Sequence, residues 1–278
     1  YYEKVKNKTA LFFAYILKST LLLESINDTY VLERFFSLGL NYGYYYQYVD
    51  DVLDYQEDNS CEYIEENHPN IRLIKNKENL GFGSANNLGV SQANGETILL
   101  LNNDTILLDH LSEALETLHE NNDYCIVAIN MLNAEKKYLN AVGRFPTPFK
   151  LIKTSFLKDN RKAFKTGSFD KQRYDVDWVT GAFMLMRKKD FLSVEGFDLD
   201  YFMYVEDVDL CKKIETLGKK CIFLSNISYI HFVGFNTKRE QLLIDGYKTY
   251  ASKHFSKWNN LVANSALTLN KVFKTLLR

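Results

Sequence analysis

The sequence predicts an α/β protein with a mainly parallel central sheet, helices on both faces and a helical extension at the C-terminus. Three observations carry that prediction. From residue 71 onward short apolar runs alternate with helix-length amphipathic stretches, the rhythm of strands joined by crossover helices. The apolar run Leu99-Leu-Leu stops abruptly in Asn102, Asn103 and Asp104, as a buried strand does where it leaves the sheet. A chain of 278 residues, 46% hydrophobic and 25% charged, is large enough to bury a full core.

Taken in order, the continuous apolar run at 11–17 reads as a buried strand, 21–36 as a helix, and 44–49 as a second strand ending in Asp50 and Asp51. Lys4, Lys6 and Lys8 precede the apolar stretch 10–23 in the manner of a signal peptide, but no small-residue cleavage site follows, so a buried strand is preferred. That stretch is broken by Lys18 and too short to span a membrane. A strand at 71–74, a helix at 83–93, a strand at 98–101, a helix at 108–121 and a strand at 125–132 follow, with turn residues at 133–137 and 143–148. Between 149 and 175, just after Pro146 and Pro148, Lys, Phe and Ser recur without periodicity. A mobile loop over a site and a plain surface insertion both fit this segment. A strand at 179–186, a helix at 207–217 and short strands at 220–224 and 228–231 complete the domain, assigned to 1–237 with an irregular first 60 residues. The tail, 238–278, holds eight Lys/Arg against two acids with Leu, Phe, Tyr and Trp258 interleaved. An anionic membrane surface and a helix packed on the domain both suit it.

A net charge of −1 gives no overall attraction to nucleic acid, and none is expected as a partner. Cys61, Cys125, Cys211 and Cys221 form no CxxC pair and lie in apolar or helical contexts, which suits buried thiols in a reducing, cytoplasmic compartment.

Three constellations carry chemistry. In Asn79-Leu-Gly-Phe-Gly-Ser-Ala-Asn-Asn, Gly81 and Gly83 permit close approach of the backbone, and the helix behind them offers free N–H groups. Asn86 stands where a dinucleotide fingerprint needs glycine, so a tight turn explains the segment equally well. Asn103 and Asp104 lie at a strand's carboxyl end, where open α/β sheets bind ligands; a hard divalent ion and a polar turn both fit. His231, in Ile-His-Phe-Val-Gly, ends an apolar strand as a core residue or a ligand. Beyond these, Glu206, Asp207 and Asp209 open a helix whose flanks Phe202, Met203, Tyr204 and Leu210 are apolar. One acid is accounted for by capping, and at least one of the others is expected in a partly desolvated cleft as a general base.

These segments, with Asp177-Trp-Val-Thr-Gly-Ala-Phe-Met-Leu-Met-Arg between them, occur in an order that resembles the inverting nucleotide-sugar glycosyltransferases of family 2, most similarly the bacterial rhamnosyltransferase-like members, over roughly 63–237. The resemblance implies a GT-A fold with a Rossmann-like sheet and a nucleotide-sugar donor such as dTDP-rhamnose or a UDP-sugar. It also implies a glycan or lipid-linked glycan acceptor; peripheral contact with the inner face of the cell membrane is an expectation from the basic, apolar tail itself. It implies Asp207 as catalytic base with Glu206 beside it, and Mg2+ or Mn2+ held by Asp104 and His231, with Asn102 where the first acid of an Asp-x-Asp motif often stands. Substrate contacts are implied at Asn79, Gly81, Gly83, Asn86, Asn103, Trp178, Gly181 and Ala182, with Asp50 at the nucleotide base. A non-catalytic sugar-nucleotide-binding homologue is the alternative. A nucleotidyltransferase ranks below both, since no glycine-rich basic loop stands between Leu17 and Leu38.

Overall fold

The computed structural model describes residues 60–67, 69–70, 72–76, 78–232 and 239–276. The expectations for 11–17, 21–36 and 44–49, with Asp50 and Asp51, lie outside the described residues. In chain order the elements are α1 (Ser60–Asn67), α2 (Gly81–Gln92), β1 (Thr97–Leu101), β2 (Thr105–Leu107), α3 (Ser112–Glu120), β3 (Tyr124–Leu132) and β4 (Val142–Gly143). Then come 3-10 turns at Pro148–Ile152 and Thr154–Leu157, α4 (Lys162–Thr166), β5 (Arg173–Val176), β6 (Trp178–Val179), β7 (Phe183–Arg187) and α5 (Lys188–Ser193). The last are α6 (Glu206–Thr216), β8 (Lys220–His231), α7 (Arg239–His254) and α8 (Lys257–Leu276).

The chain divides into two compact units, Tyr1–Leu80 with Leu101–Ile106, and Gly81–Leu100 with Leu107–Arg278. In the first, 72–76 is irregular where a strand is expected, because Arg72 is exposed and leaves only half-buried Leu73 and Ile74 as apolar support. Asn102, Asn103 and Asp104 form a tight turn there, closed by the Thr105 hydroxyl donating to Asn102 O at 2.7 Å.

The second unit carries the sheet, in the order β1-β7-β3-β8, with β5 on β8. Ile126, Val127, Ala128 and Ile129 of β3 and every residue of β7 are buried, because helices and loops cover both faces of these central strands. The α/β class and the helix-flanked sheet are as the sequence predicts, with β3 and β8 parallel. The sheet is mixed, because β7 and β5 run antiparallel to their neighbours. After β3 the chain makes an excursion through β4 to β6 and re-enters at the same end, so no crossover turns β7 parallel.

Three boundaries differ from the sequence reading, each for a local reason. The helix expected from 108 begins at Ser112. Leu108 N–H is spent on Ser228 O at 3.0 Å, and the Asp109 carboxylate accepts Ser228 N–H at 2.8 Å. The strands expected at 220–224 and 228–231 are one strand, since a register shift opposite Ile129 and Asn130 accommodates Ser225 to Ile227 as a bulge. The strand expected over 179–186 is broken at Thr180 to Ala182 into β6 and β7.

The segment 149–175 is folded onto the domain. Leu151 and Leu157 are buried in a cluster, and Arg144 and Arg161 both pair with the buried Asp159, at 3.2 and 2.8 Å. Burial would raise the Asp159 carboxyl, but the Arg161 and Arg144 guanidiniums outweigh it and hold it below the usual range. The tail is folded as well. Tyr247, Tyr250, Ala251, Ala263 and Leu267 of α7 and α8 pack with Leu151, Tyr201, Val205 and Val208. Of the four cysteines, all free, Cys125, Cys211 and Cys221 are buried. Among the described residues no helix is long and apolar enough to cross a membrane.

Candidate active site

The second unit brings together the N-terminus of α2, the 180–182 turn and the start of α6. Gly81, at φ +78°, lies so close to Phe202 O that a Cβ there would collide with it, and Phe82 N–H donates to the same carbonyl at 3.1 Å. A Cβ on Gly181 would meet the Phe82 ring at 3.0 Å and Asp207 Cβ at 3.7 Å. Gly181 N–H donates to Asp207 Oδ2 at 3.0 Å. That hydrogen bond explains the broken strand, because a carboxylate 26 residues downstream takes the N–H that a continuous ladder would use. Ala182 is buried behind this turn. Trp178 is half-buried, its indole N–H donating to Arg144 O at 3.0 Å, and its ring fills the space beside Gly143.

The remaining predicted residues fall elsewhere. Gly83 is the point of close packing on Phe197, whose Cβ would stand 2.9 Å from a Cβ at this position. Asn86 is buried with its amide donating to Phe82 O at 2.9 Å, inside its own helix. Asn79 is exposed, and Asn103 and Asp104 are half-buried; all three belong to the first unit. His231 is half-buried at the end of β8, in the second unit. Asp50 lies outside the described residues.

The three acids of α6 divide by environment. The helix starts from Val205 with no side-chain cap, so none of them serves as a cap in the ordinary sense. Asp209, 1% exposed, is fixed by the Tyr201 hydroxyl at 3.2 Å and His254 Nε2 at 2.7 Å, and this makes it a structural acid. Glu206 is buried, and its Oε2 has no hydrogen-bond partner among the described residues. Burial first, and then the neighbouring Asp207 charge, push its carboxyl well above the usual range. Asp207 is half-buried, its Oδ1 accepting Val208 N–H at 2.8 Å as its Oδ2 accepts Gly181. Burial raises this carboxyl too, and the backbone N–H groups of Gly181 and Val208 partly oppose the rise by favouring the ionised form. Two carboxyls side by side with unequal support hold a proton unequally: burial and the neighbouring charge favour the neutral form of Glu206, while two backbone N–H groups favour the ionised form of Asp207.

The protonated Glu206 has a measurable signature. A carboxyl raised on folding stabilises fully below the unfolded value of about 4.3, and that contribution is lost as pH climbs to the folded value. Glu206→Gln, which keeps the shape and cannot ionise, is expected to gain stability relative to the parent chain as pH rises above the unfolded value of about 4.3, read by urea unfolding at each pH. A difference that stays flat, or grows the other way, shows that Glu206 is charged in the folded state.

The backbone entering α6 is strained. Tyr204 and Val205 take φ of 70° and 74°, a left-handed conformation that is a genuine outlier for a β-branched residue. Helix α7 holds it there. A Cβ at Gly246 would lie 2.7 Å from Tyr204 O and 2.8 Å from Val205 Cγ2, so only glycine lets the helix seat against the turn. The last turn of α7 adds Lys253, paired with Asp198 at 2.9 Å and Asp200 at 2.6 Å, and His254 on Asp209. Gly246, Lys253 and His254 went unread in the sequence, where nothing local links the tail to the acid run.

Among the described residues no three His, Cys, Asp or Glu side chains gather closely enough to hold a metal.

Comparison with known proteins gives the following. The family described as Glycosyl transferase family 2 matches residues 51–193, and that described as Polyprenyl synthetase matches residues 1–66. Rhamnosyltransferase WbbL of Escherichia coli (strain K12) is 33% identical over 115 residues, 41% of this chain and 43% of that protein. N-acetylglucosaminyl-diphospho-decaprenol L-rhamnosyltransferase of Mycobacterium tuberculosis (strain CDC 1551 / Oshkosh) is 29% identical over 102 residues, 34% of this chain and 33% of that protein. The chain thus matches less than half the length of either relative. Among solved structures, GalNAc-T7 with UDP, GalNAc and Mn2+ aligns with a TM-score of 0.49 at 14% identity, over 66% of this chain and 36% of that one.

Proposed function

The chain belongs to glycosyl transferase family 2, and we propose that it transfers a sugar from a nucleotide-diphosphate donor, dTDP-rhamnose or a UDP-sugar, to a lipid-linked glycan acceptor with inversion at the anomeric carbon. The observation that carries this reading is the Asp207 carboxylate, half-buried, braced by two backbone N–H groups and raised by burial. A general base gains proton affinity when its carboxyl is raised above the ordinary range, and burial acts in that direction here. The rhamnosyltransferase names of the two relatives support the donor and the diphospho-polyprenol type of acceptor.

In the proposed reaction an acceptor hydroxyl attacks the anomeric carbon from the face opposite the leaving nucleoside diphosphate, and its proton passes to Asp207. The new glycosidic bond forms as the bond from the anomeric carbon to phosphate oxygen breaks. Neutral Glu206 keeps a second negative charge away from the entering oxygen, and Gly181 N–H fixes the base. Asp104 is the proposed ligand of Mg2+ or Mn2+, which when bound would offset charge on the departing diphosphate. The proposed setting is the cytoplasmic face of the membrane that holds the acceptor.

Incubation with dTDP-, UDP- and GDP-sugars and an N-acetylglucosaminyl-diphospho-polyprenol, with and without manganese, tests the proposal. Transfer from one donor with the anomeric configuration inverted by NMR is the expected result. Donor-induced thermal stabilisation without transfer would establish the non-catalytic reading, and retained configuration would exclude direct displacement.

A further inference from the structure

Helix α8 has two apolar faces, and the described residues cover only one. Ala263, Ala266 and Leu267 are buried, and the buried Asn270 amide donates to Leu151 O at 3.3 Å, tying the helix to the first 3-10 turn. Trp258, Leu261, Val262 and Leu269 follow at helical spacing on a second stripe, and Trp258 is 79% and Leu261 61% exposed. The 3-10 turns seated on α8 behave the same way, with Leu151 and Leu157 turned inward while Phe149, at 78%, and Phe156, at 54%, stand in solvent. An amphipathic helix gains nothing from a second apolar stripe unless something covers it.

The charge of these elements indicates what does. Segments 148–157 and 257–276 contain five lysines, Lys150, Lys153, Lys257, Lys271 and Lys274, and no acid. Lys153 Nζ stands 6.0 Å from the Phe156 ring. Exposed aromatics and leucines on segments that carry lysines and no carboxylate match the boundary of an anionic bilayer, where rings sit among headgroups and ammonium groups meet phosphates. We propose that α8 and the 148–157 turns form a membrane-docking face for anionic lipid, with Phe149, Phe156, Trp258 and Leu261 as its inserting residues. The proposal deepens the reading of a lipid-linked acceptor and rests on it for its purpose.

Vesicles of phosphatidylcholine, with and without phosphatidylglycerol, test it in the absence of donor and acceptor. The full chain is expected to cosediment with the anionic vesicles, less at high salt, with a blue shift of Trp258 emission. Phe149→Ser with Leu261→Ser should lower the partition coefficient on the order of 10- to 100-fold and abolish the blue shift, with an unchanged melting temperature because both side chains are exposed. Transfer to a short-chain, water-soluble acceptor should be unaffected by the pair of substitutions. A parent chain that stays in the supernatant overturns the proposal, as does a double variant that binds like the parent. A dimer that the substitutions convert to monomer would reassign the face to contact between copies. Absence of transfer to the soluble acceptor by the parent chain would defeat the functional reading and leave vesicle binding to be judged by itself.

Discussion

Asp207→Asn is expected to lower kcat by roughly 10³-fold while leaving donor binding within about twofold, since a positioned general base typically contributes 10²–10⁴-fold. The substitution is close to isosteric. An Asn side-chain oxygen can still accept the Gly181 N–H that the carboxylate now holds at 3.0 Å, so the 180–182 turn should keep its shape. What disappears is the ability to take a proton. Steady-state kinetics on protein of matched melting temperature, with donor affinity measured separately by calorimetry, separates loss of chemistry from loss of binding. Residual transfer within tenfold of the parent would remove Asp207 from the role of base and direct attention to Glu206.

Gly81→Ala should have the largest effect on stability, about 3–6 kcal/mol. A left-handed backbone costs a residue with a Cβ about 1–2 kcal/mol. The Cβ would strike the carbonyl of Phe202, which is backbone and cannot rotate aside, adding about 1–3 kcal/mol of overpacking. Separating the two segments would also lose the Phe82 N–H to Phe202 O hydrogen bond, worth about 1 kcal/mol net. Urea unfolding reads the sum. A loss below about 1 kcal/mol would show that α2 can shift away from residue 202 without harm.

The parts of the molecule legible in the sequence were those set by local pattern. The run Cys125 to Leu132 has to be a central strand because it is apolar on both faces, and the periodicity after Asp207 has to be a helix. The glycines in the first turn of α2 announced a close approach of backbone, but their partners are Phe202 and Phe197, and no pattern in the neighbourhood of residue 81 names them. The break at Gly181 was hidden because its cause is Asp207, and the roles of the three acids were hidden because Asp209 is claimed by His254, 45 residues away. Local propensity fixes which elements form; which carboxylate is free to react depends on what the distant tail has already occupied.

The seat of α7 on the Tyr204–Val205 turn has a consequence for descent. Position 246 and positions 204–205 must change together or not at all: a side chain introduced at 246 demands a differently shaped approach to the acids, and a relaxed approach removes the reason for keeping glycine. Lineages that keep this geometry should show the two sites co-varying across forty intervening residues, and a graft of the reactive helix into another scaffold would have to bring its distant brace along.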